Sequence, residues 1–336
     1  MIRAALLAAA ALIATVAGAD TVGTKRIEAD VTPDLQVNVR VFYPVSGAEE
    51  IMSYGPWELP IVRGRAALPG DRPLVVISHG LGGRDWNHHL LAQRLVKRGY
   101  VVAAVQHPDD LLRVGNAGHF DLRKAELWAA IDAVYADPEF AETVDPDRVG
   151  AFGFSLGGFT ALALAGGAYD AKLAEDHCNQ NSAADSIFCA ADTGLPFTTR
   201  MRRMTYRLPS VEVSKGGHPK ISALAIAAPL GAVFSDLADV RVPALLWEMN
   251  GDPVLVPEFH SKRIAEMLPD LRAQHSSELD HHYAFLSPFP ESIRNSVGEP
   301  AQDPPGFDRL EFLNSVNGNI EEFFVSALGV GTSATD

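Results

Sequence analysis

Residues 149–160 read Val149-Gly150-Ala151-Phe152-Gly153-Phe154-Ser155-Leu156-Gly157-Gly158-Phe159-Thr160. An apolar, strand-like run leads into the pattern Gly153-x-Ser155-x-Gly157, and an Ala/Leu-rich segment follows it as a predicted helix. This order of strand, sharp turn and helix is typical of a nucleophile elbow, in which glycines let the crossing backbones come close. The stretch therefore predicts that Ser155 attacks a carbonyl carbon, although the same pentapeptide also occurs in chains where it has no such role.

Apolar runs on both sides of this stretch predict the fold class. Continuous apolar runs, typical of strands buried on both faces, occupy residues 73–78, 100–105, 147–154, 221–226 and 242–247, with a weaker strand at 271–279. Predicted helices alternate with them at 86–98, 122–136, 256–268 and 308–328. An antiparallel pair at 25–31 and 36–45 opens the sheet, and the Pro- and Gly-rich residues 51–71 are predicted to form a loop. Such alternation predicts an α/β fold with a doubly wound, mostly parallel sheet.

A serine nucleophile needs an acid that orients its base, and the predicted strand at 242–247 leads to one. Asp252 lies in the Gly-Asp-Pro turn just beyond this strand, where a short carboxylate can reach the loop of the next strand. The same tripeptide is also a favoured turn without a catalytic role. Asp236 is the main alternative acid, and Glu248 is a weaker one.

The general base is expected after the last predicted strand, where His281 and His282 follow one another. A histidine titrates in the range that lets it take and return a proton near neutral pH. We assign this role to His282, with His281 as the alternative. Tandem histidines can also bind a metal, but no third histidine or carboxylate at helical spacing supports a metal site here.

Backbone donors for an oxyanion are predicted at two turns. The glycine-rich segment 78–83 follows a buried strand, and its Leu81 amide would act together with that of Leu156, directly after the candidate nucleophile. A glycine-rich loop can instead hold phosphate, but the G-x-x-x-x-G-K-[ST] pattern is missing.

The first nineteen residues predict export. Arg3 precedes an apolar run that ends in Ala17-Gly18-Ala19, as in a secretory signal peptide cleaved after Ala19; an uncleaved anchor is the alternative. No later stretch is long and apolar enough to span a bilayer. We therefore expect a periplasmic or secreted protein, in which Cys178 and Cys189 form a disulfide.

Length and composition limit the remaining possibilities. The chain has 336 residues, 47% hydrophobic content and a net charge of -14, which suits one α/β domain over residues 20–336 and disfavours a nucleic-acid partner. Two cysteines without Cys/His ligand spacing argue against structural zinc. The irregular segment of about 169–219 is predicted to be a cap over the carboxyl edge of the sheet, or else a disulfide-tied surface loop.

These motifs together resemble the α/β-hydrolase superfamily. Within it, the segments 78–82, 99–107 and 153–158 are similar to those of the platelet-activating-factor acetylhydrolases and of the bacterial proteins called predicted dienelactone hydrolases. The resemblance covers roughly residues 36–282 and is poor in the segment 169–219. It implies a serine esterase without metal or organic cofactor that acts on short-acyl or otherwise compact, small-molecule esters. It also implies the roles of nucleophile for Ser155, base for His282, and oxyanion donors for Leu81 and Leu156.

The chain departs from each of these relatives in one respect. Dienelactone hydrolases use a cysteine nucleophile, where this chain has Ser155. The acetylhydrolases place the acid after the strand before last, where this chain reads Ala227-Ala228-Pro229, so the assignment of the acid rests on the Asp252 turn. The same triad also serves amide, peptide and polyester hydrolysis, and a non-catalytic binding protein on a hydrolase scaffold is a further alternative. The oligomeric state is not predicted.

Overall fold

The computed structural model describes residues 21–108, 118–190, 211 and 215–333. In these ranges the strands are β1 (Thr21–Thr32), β2 (Leu35–Val45), β3 (Ile51–Tyr54), β4 (Trp57–Arg63), β5 (Gly70–Ser78), β6 (Val101–Gln106), β7 (Val144–Phe154), β8 (Ala168–Tyr169), β9 (Ile221–Ala227), β10 (Phe234–Asp236), β11 (Ala244–Met249), β12 (Leu271–Ser277) and β13 (Thr332–Ser333). The helices are α1 (His89–Lys97), α2 (Gly118–Ala136), α3 (Leu156–Leu164), α4 (Ala171–Asn181), α5 (Ser186–Cys189), α6 (Ser261–Met267), α7 (Glu291–Val297) and α8 (Arg309–Leu328). Short 3-10 helices lie at His282–Phe285 and Glu299–Ala301.

One large sheet organises the chain, in the strand order β12-β11-β9-β7-β5-β6-β2-β1-β4-β3. The strands from β12 to β6 are parallel, and β2 joins β6 antiparallel. The predicted doubly wound, mostly parallel sheet is therefore confirmed. Because the chain places β6 on one side of β5 and β7 on the other, a crevice opens at the carboxyl ends of β5 and β7, where ligands of open α/β sheets bind.

Alternation along the buried strands supplies two cores, one on each face of the sheet. On β5, Leu74 and Val76 pack into the core that α2 and α3 cover, whereas Val75 and Ile77 pack into the core that α1 and α8 cover. A strand that is apolar on both faces fits only between two helical layers. The central strands are consequently rigid supports for the loops at their carboxyl ends.

One predicted loop is wrong in part. Residues 51–71 contain the hairpin of β3 and β4, and β4 pairs parallel with β1. Gly55, at a φ of +61°, lies in the turn between the two strands, so the glycine and proline marked a hairpin turn rather than a structureless segment. Leu59 and Ile61 of β4 are buried beneath the sheet edge. This hairpin forms one wall of the cavity described below.

The predicted signal peptide, with Ala19 at its cleavage site, lies outside the described residues. The described part of the insertion holds α4 and α5, whose Cys178 and Cys189 are joined in a disulfide. The single-domain organisation and the capping role of the insertion remain predictions. Across the described ranges, no helix combines the length and apolar character that crossing a membrane requires.

Candidate active site

Ser155 occupies a strained corner between β7 and α3. Its backbone adopts φ 56° and ψ -121°, a conformation that non-glycine residues rarely adopt. The neighbouring loop after β9 holds this corner, because the Ser155 N–H donates to Ala227 O at 2.9 Å and the Leu230 N–H donates to Ser155 O at 3.1 Å. Backbone hydrogen bonds on both sides of the serine thus fix this conformation, which is the one expected of a nucleophile elbow.

The two glycines that flank the serine allow the close approach of three backbone segments. A Cβ atom on Gly153 would lie 2.1 Å from Gly157 O, and one on Gly157 would lie 2.0 Å from Ser78 O. Both distances are far inside van der Waals contact with backbone atoms that have no room to move. The pattern in the sequence therefore has a steric cause at the junction of β5, β7 and α3.

Ser155, His282 and Asp252 come together in one hydrogen-bonded chain. Ser155 Oγ donates to His282 Nε2 at 3.0 Å, and His282 Nδ1 donates to Asp252 Oδ2 at 2.6 Å. Asp252 is 4% exposed and His282 is 2% exposed. This is the geometry in which an imidazole removes a serine proton while a carboxylate fixes its tautomer.

The turn after β11 fixes the orientation of the Asp252 carboxylate. Its Oδ1 accepts hydrogen bonds from Val254 N at 2.8 Å and Leu255 N at 3.0 Å, while Oδ2 faces His282. Each carboxylate oxygen consequently has its own partners. The Gly-Asp-Pro turn therefore also fixes the direction in which the Asp252 carboxylate faces His282.

The alternative residues lie in other environments. Asp236 is exposed and accepts from Ala238 N, and Glu248 accepts from Ser261 Oγ and Gln274 Nε2. His281 Nε2 lies 3.2 Å from Asp303 Oδ1. None of these contacts within the described residues leads to Ser155, so the geometry distinguishes Asp252 and His282 from their alternatives.

Both predicted oxyanion donors are placed at turns beside Ser155. A hydrogen bond from Gly83 N to Gly80 O at 3.1 Å, together with a φ of +68° at Gly82, forms a turn in which the Leu81 N–H is not used. Leu156 is the first residue of α3, so its N–H has no partner within that helix. Both residues line the cavity that contains Ser155. Neither N–H donates a hydrogen bond within the described part of the chain, so both amides can serve a ligand oxygen.

A buried polar network beneath the oxyanion turn was not predicted from the sequence. Ser78 Oγ donates to His107 Nε2 at 2.9 Å, and His107 Nδ1 donates to Glu126 Oε2 at 2.7 Å. The fully buried Arg123 donates to Ser78 Oγ at 3.3 Å and also to His79 O. The end of β5 is therefore held by charge-assisted hydrogen bonds. In the sequence, the only sign of this network was the dipeptide Gln106-His107 at the end of β6, which belongs to the motif at residues 99–107.

Ser155 opens into a large cavity of about 1040 Å³. Most of its wall is apolar or aromatic, formed by Trp57, Leu81, Trp86, Phe120, Phe154, Leu156, Ile187, Phe188, Leu230, Leu255, Tyr283, Leu286, Phe289 and Ile293. Ile187 and Phe188 come from the insertion, and Trp57 comes from the hairpin that the sequence did not predict. A mostly apolar pocket with a few converging polar groups is the usual form of a small-molecule site.

Two buried histidines, His88 and His89, follow Asn87 of the cavity wall. Burial lowers the pKa of His88 to about 3 and that of His89 to about 4, so both imidazoles are neutral at physiological pH. His88 packs edge-on against the rings of Phe152 and Phe154. It supports the floor under the elbow through packing.

A His–Asp–His cluster fastens the insertion to the loop that precedes α6. Asp185 Oδ2 lies 2.8 Å from both His177 Nε2 and His260 Nε2. His260 Nδ1 accepts from Gly231 N at 3.0 Å, so its Nε2 carries the proton and donates to Asp185. Burial alone would raise the pKa of Asp185, but hydrogen bonds from the two imidazoles hold it below its ordinary value. Because the His260 lone pair is already used, the cluster suits hydrogen bonding better than metal binding.

The chain is similar to known proteins in part of its sequence and in its fold. Residues 54–117 match the sequence model of the family described as platelet-activating factor acetylhydrolase, isoform II. This part includes β4, the turn at Leu81 and β6, but not Ser155. No curated protein matches the chain significantly.

Two solved structures are similar over nearly the whole length. Ferulic acid esterase from Streptomyces cinnamoneus is 18% identical, with 94% of this chain and 92% of that chain covered and a TM-score of 0.59. Dienelactone hydrolase from Anabaena variabilis is 15% identical, with 91% and 98% covered and a TM-score of 0.47. With the sheet described above, the likeness to the ferulic acid esterase identifies the fold as that of an α/β-hydrolase, as the sequence predicted.

Proposed function

We propose that this α/β-hydrolase fold carries a serine hydrolase, which cleaves short-acyl or otherwise compact carboxylic esters through an acyl-serine intermediate. The observation that carries the proposal is the continuous hydrogen-bonded chain of Ser155, His282 and Asp252 at the base of an apolar cavity. A decayed scaffold that only binds ligands has no need of a strained serine aligned with a histidine and a buried carboxylate.

In the proposed reaction, His282 Nε2 removes the Ser155 proton as Oγ attacks the ester carbonyl carbon. The amides of Leu81 and Leu156 stabilise the tetrahedral oxyanion, and each donor of this kind contributes about 3 kcal/mol to transition-state stabilisation. The imidazolium then protonates the departing alcohol, and the acyl group stays on Ser155. Water attacks this acyl-serine with His282 again as the base, which releases the acid and restores the serine.

The cavity and the comparisons support an ester as the substrate. The wall is mostly apolar and aromatic, which suits the organic groups on either side of an ester bond. The family matched by residues 54–117 is named for acetyl-ester hydrolysis, and the structurally similar protein from Streptomyces cinnamoneus is a ferulic acid esterase. Apart from water, the proposed mechanism uses only side chains and backbone amides of this chain.

The test is hydrolysis of p-nitrophenyl acetate and butyrate by the wild-type protein and by Ser155→Ala, with Ser296→Ala as an exposed control serine. Wild type and the control should turn over both esters and react with a fluorophosphonate probe, whereas Ser155→Ala should do neither. Undiminished turnover or labelling of Ser155→Ala would refute the assignment. A panel of matched amides and esters would define the preferred bond.

We further propose that the protein is exported with removal of residues 1–19. The N-terminal sequence pattern supports this proposal, and the Cys178–Cys189 disulfide fits an oxidising compartment. Fractionation of cells with intact-mass measurement of the mature chain tests it. A chain that keeps Met1 in the cytoplasmic fraction would contradict export.

A further inference from the structure

Three arginines on neighbouring strands line one end of the active-site cavity. Arg26 of β1 and Arg40 of β2 are direct cross-strand partners, and Arg63 of β4 is the partner of Thr24 on β1. All three line the same cavity as Ser155. We call Arg26, Arg40 and Arg63 the arginine end of the cavity.

The charges at the arginine end are only partly balanced. The buried Arg40 donates through Nε to Asp85 Oδ2 at 2.9 Å, and these two charges neutralise one another. Within the ranges that the structure describes, neither Arg26 nor Arg63 has an ion-pair partner, although the chain as a whole carries a charge of -14. Arg26 and Arg63 are exposed, so solvent partly screens their mutual repulsion, and no carboxylate of the described residues offsets their two charges. This end of the cavity therefore carries an excess of positive charge.

A buried hydroxyl group at the same end also lacks a partner. Tyr54 is 4% exposed, and among the described residues its hydroxyl makes no hydrogen bond. The Arg63 guanidinium carbon lies 4.2 Å from the centre of its ring, and the Trp86 ring lies 4.5 Å away on centroids. Buried polar groups are normally hydrogen-bonded, and Tyr54 lines the cavity, so a ligand atom can supply the acceptor.

We propose that the arginine end binds an oxyanionic group, a carboxylate or a phosphate, at the end of the substrate remote from the reacting ester. Guanidinium groups match such anions through paired N–H donors, and the Tyr54 hydroxyl adds a further donor. The apolar wall would hold the part of the substrate that joins the anion to the ester. The substrate class is then an ester with a second, negatively charged group, such as a monoester of a dicarboxylic acid. This inference rests on the proposed hydrolase function.

The test compares three p-nitrophenyl esters of matched chain length: the monoester of adipic acid, the hexanoate, and a hexanoate that ends in phosphate. The variant Arg26→Gln/Arg63→Gln removes the unbalanced charges. The control Arg65→Gln removes an exposed arginine that lies 3.6 Å from Glu50 and does not line this cavity. The quantity measured is kcat/KM for each anionic ester divided by kcat/KM for the hexanoate.

In the double variant, this ratio should fall about tenfold or more, because charge-assisted hydrogen bonds are lost, and in the control it should change less than twofold. The anionic ester whose ratio falls further in the double variant carries the group that the site prefers. Equal losses on charged and neutral esters, or the same fall in Arg65→Gln, would overturn the anion site.

The experiment separates this inference from the hydrolase proposal. If the wild-type protein cleaves the hexanoate but has no higher kcat/KM for either anionic ester, the anion site alone is overturned. Wild-type protein that cleaves none of the esters and is not labelled by a fluorophosphonate overturns the hydrolase proposal. In that case, calorimetric titration of the protein with adipate still tests the anion site. Binding that weakens about tenfold in the double variant supports the anion site, and binding of equal affinity in the double variant overturns it.

Discussion

The substitution Asp252→Asn tests the proposed triad most sharply, because the structure determines how the new amide must orient. The Asp252 Oδ1 position accepts from the N–H groups of Val254 and Leu255. An asparagine would keep its carbonyl oxygen there and turn its NH₂ group toward His282 Nδ1. The imidazole would then carry its proton on Nε2, facing Ser155, and could not act as a base.

The magnitude follows from these contacts. Turning the amide the other way would set its NH₂ group against the buried N–H of Leu255 and the part-buried N–H of Val254, at a cost of about 2–4 kcal/mol. Loss of the charge-assisted bond to the imidazolium adds about 2 kcal/mol. The barrier should rise by about 4–6 kcal/mol, which is about 10³- to 10⁴-fold in kcat. Thermal unfolding should shift little, since the shapes of the two side chains are nearly the same.

The assay is kcat and kcat/KM for p-nitrophenyl butyrate, with Asp236→Asn and Glu248→Gln as controls. Asp236 is exposed, so its variant should keep activity within about twofold of wild type. Activity of Asp252→Asn within tenfold of wild type would refute the tautomer argument. A large loss in Asp236→Asn alone would transfer the role of the acid to that residue.

Three further predictions concern stability, each measured by denaturant or thermal unfolding, with hydrolysis of p-nitrophenyl butyrate as a second measurement for Gly157. Burial in the folded state lowers the pKa of His88 to about 3, so below pH 6.5 the unfolded chain binds more protons than the folded chain, and the free energy of unfolding decreases as the pH decreases. His88→Gln should reduce the slope of this decrease by about 1.4 kcal/mol per pH unit between pH 6 and 4. An unchanged slope would contradict the lowered pKa. Replacing Cys178 and Cys189 by serine removes a cross-link over a sequence separation of 11 residues and should cost roughly 3 kcal/mol, whereas no loss of stability relative to the disulfide-bonded wild type would contradict a structural role. Gly157→Ala should prevent folding or abolish activity because its Cβ would lie 2.0 Å from a carbonyl oxygen, while the matched change Gly318→Ala in α8 should stabilise by up to about 1 kcal/mol; equal effects at the two glycines would contradict the packing argument.

The sequence predicted those parts of the site whose chemistry lies in local patterns. The elbow needs Gly153 and Gly157 at fixed positions beside Ser155, so steric demand is visible in the residues themselves. The order of nucleophile, acid and base follows from the carboxyl ends of successive parallel strands. This order predicted that Asp252 and His282 lie beside Ser155, and the structure places the three side chains in contact.

The sequence did not reveal groups whose positions depend on pairing between distant strands. Arg26 and Arg40 are 14 positions apart, and their proximity depends on the β1–β2 register. Tyr54 and Trp57 lie in a segment predicted to be a loop, because Gly and Pro in a hairpin turn resemble those of an irregular segment. The link between Asp185 and His260 spans 75 residues. Such contacts arise from tertiary packing, which produces no periodic pattern of residues in the sequence.

The link between Asp185 and His260 has a consequence for redesign of the cavity. Asp252 and His260 lie on one short segment, and His260 in turn holds the insertion that supplies Ile187 to the cavity wall. A redesign that shifts the insertion backbone would therefore disturb Asp252, the proposed acid, through this segment. Ile187 is 51% exposed and lines the cavity, so shortening its side chain would enlarge the cavity while the backbone around Asp252 stays in place. Selection for bulkier substrates should begin with side-chain changes at this position rather than with insertions or deletions in the segment.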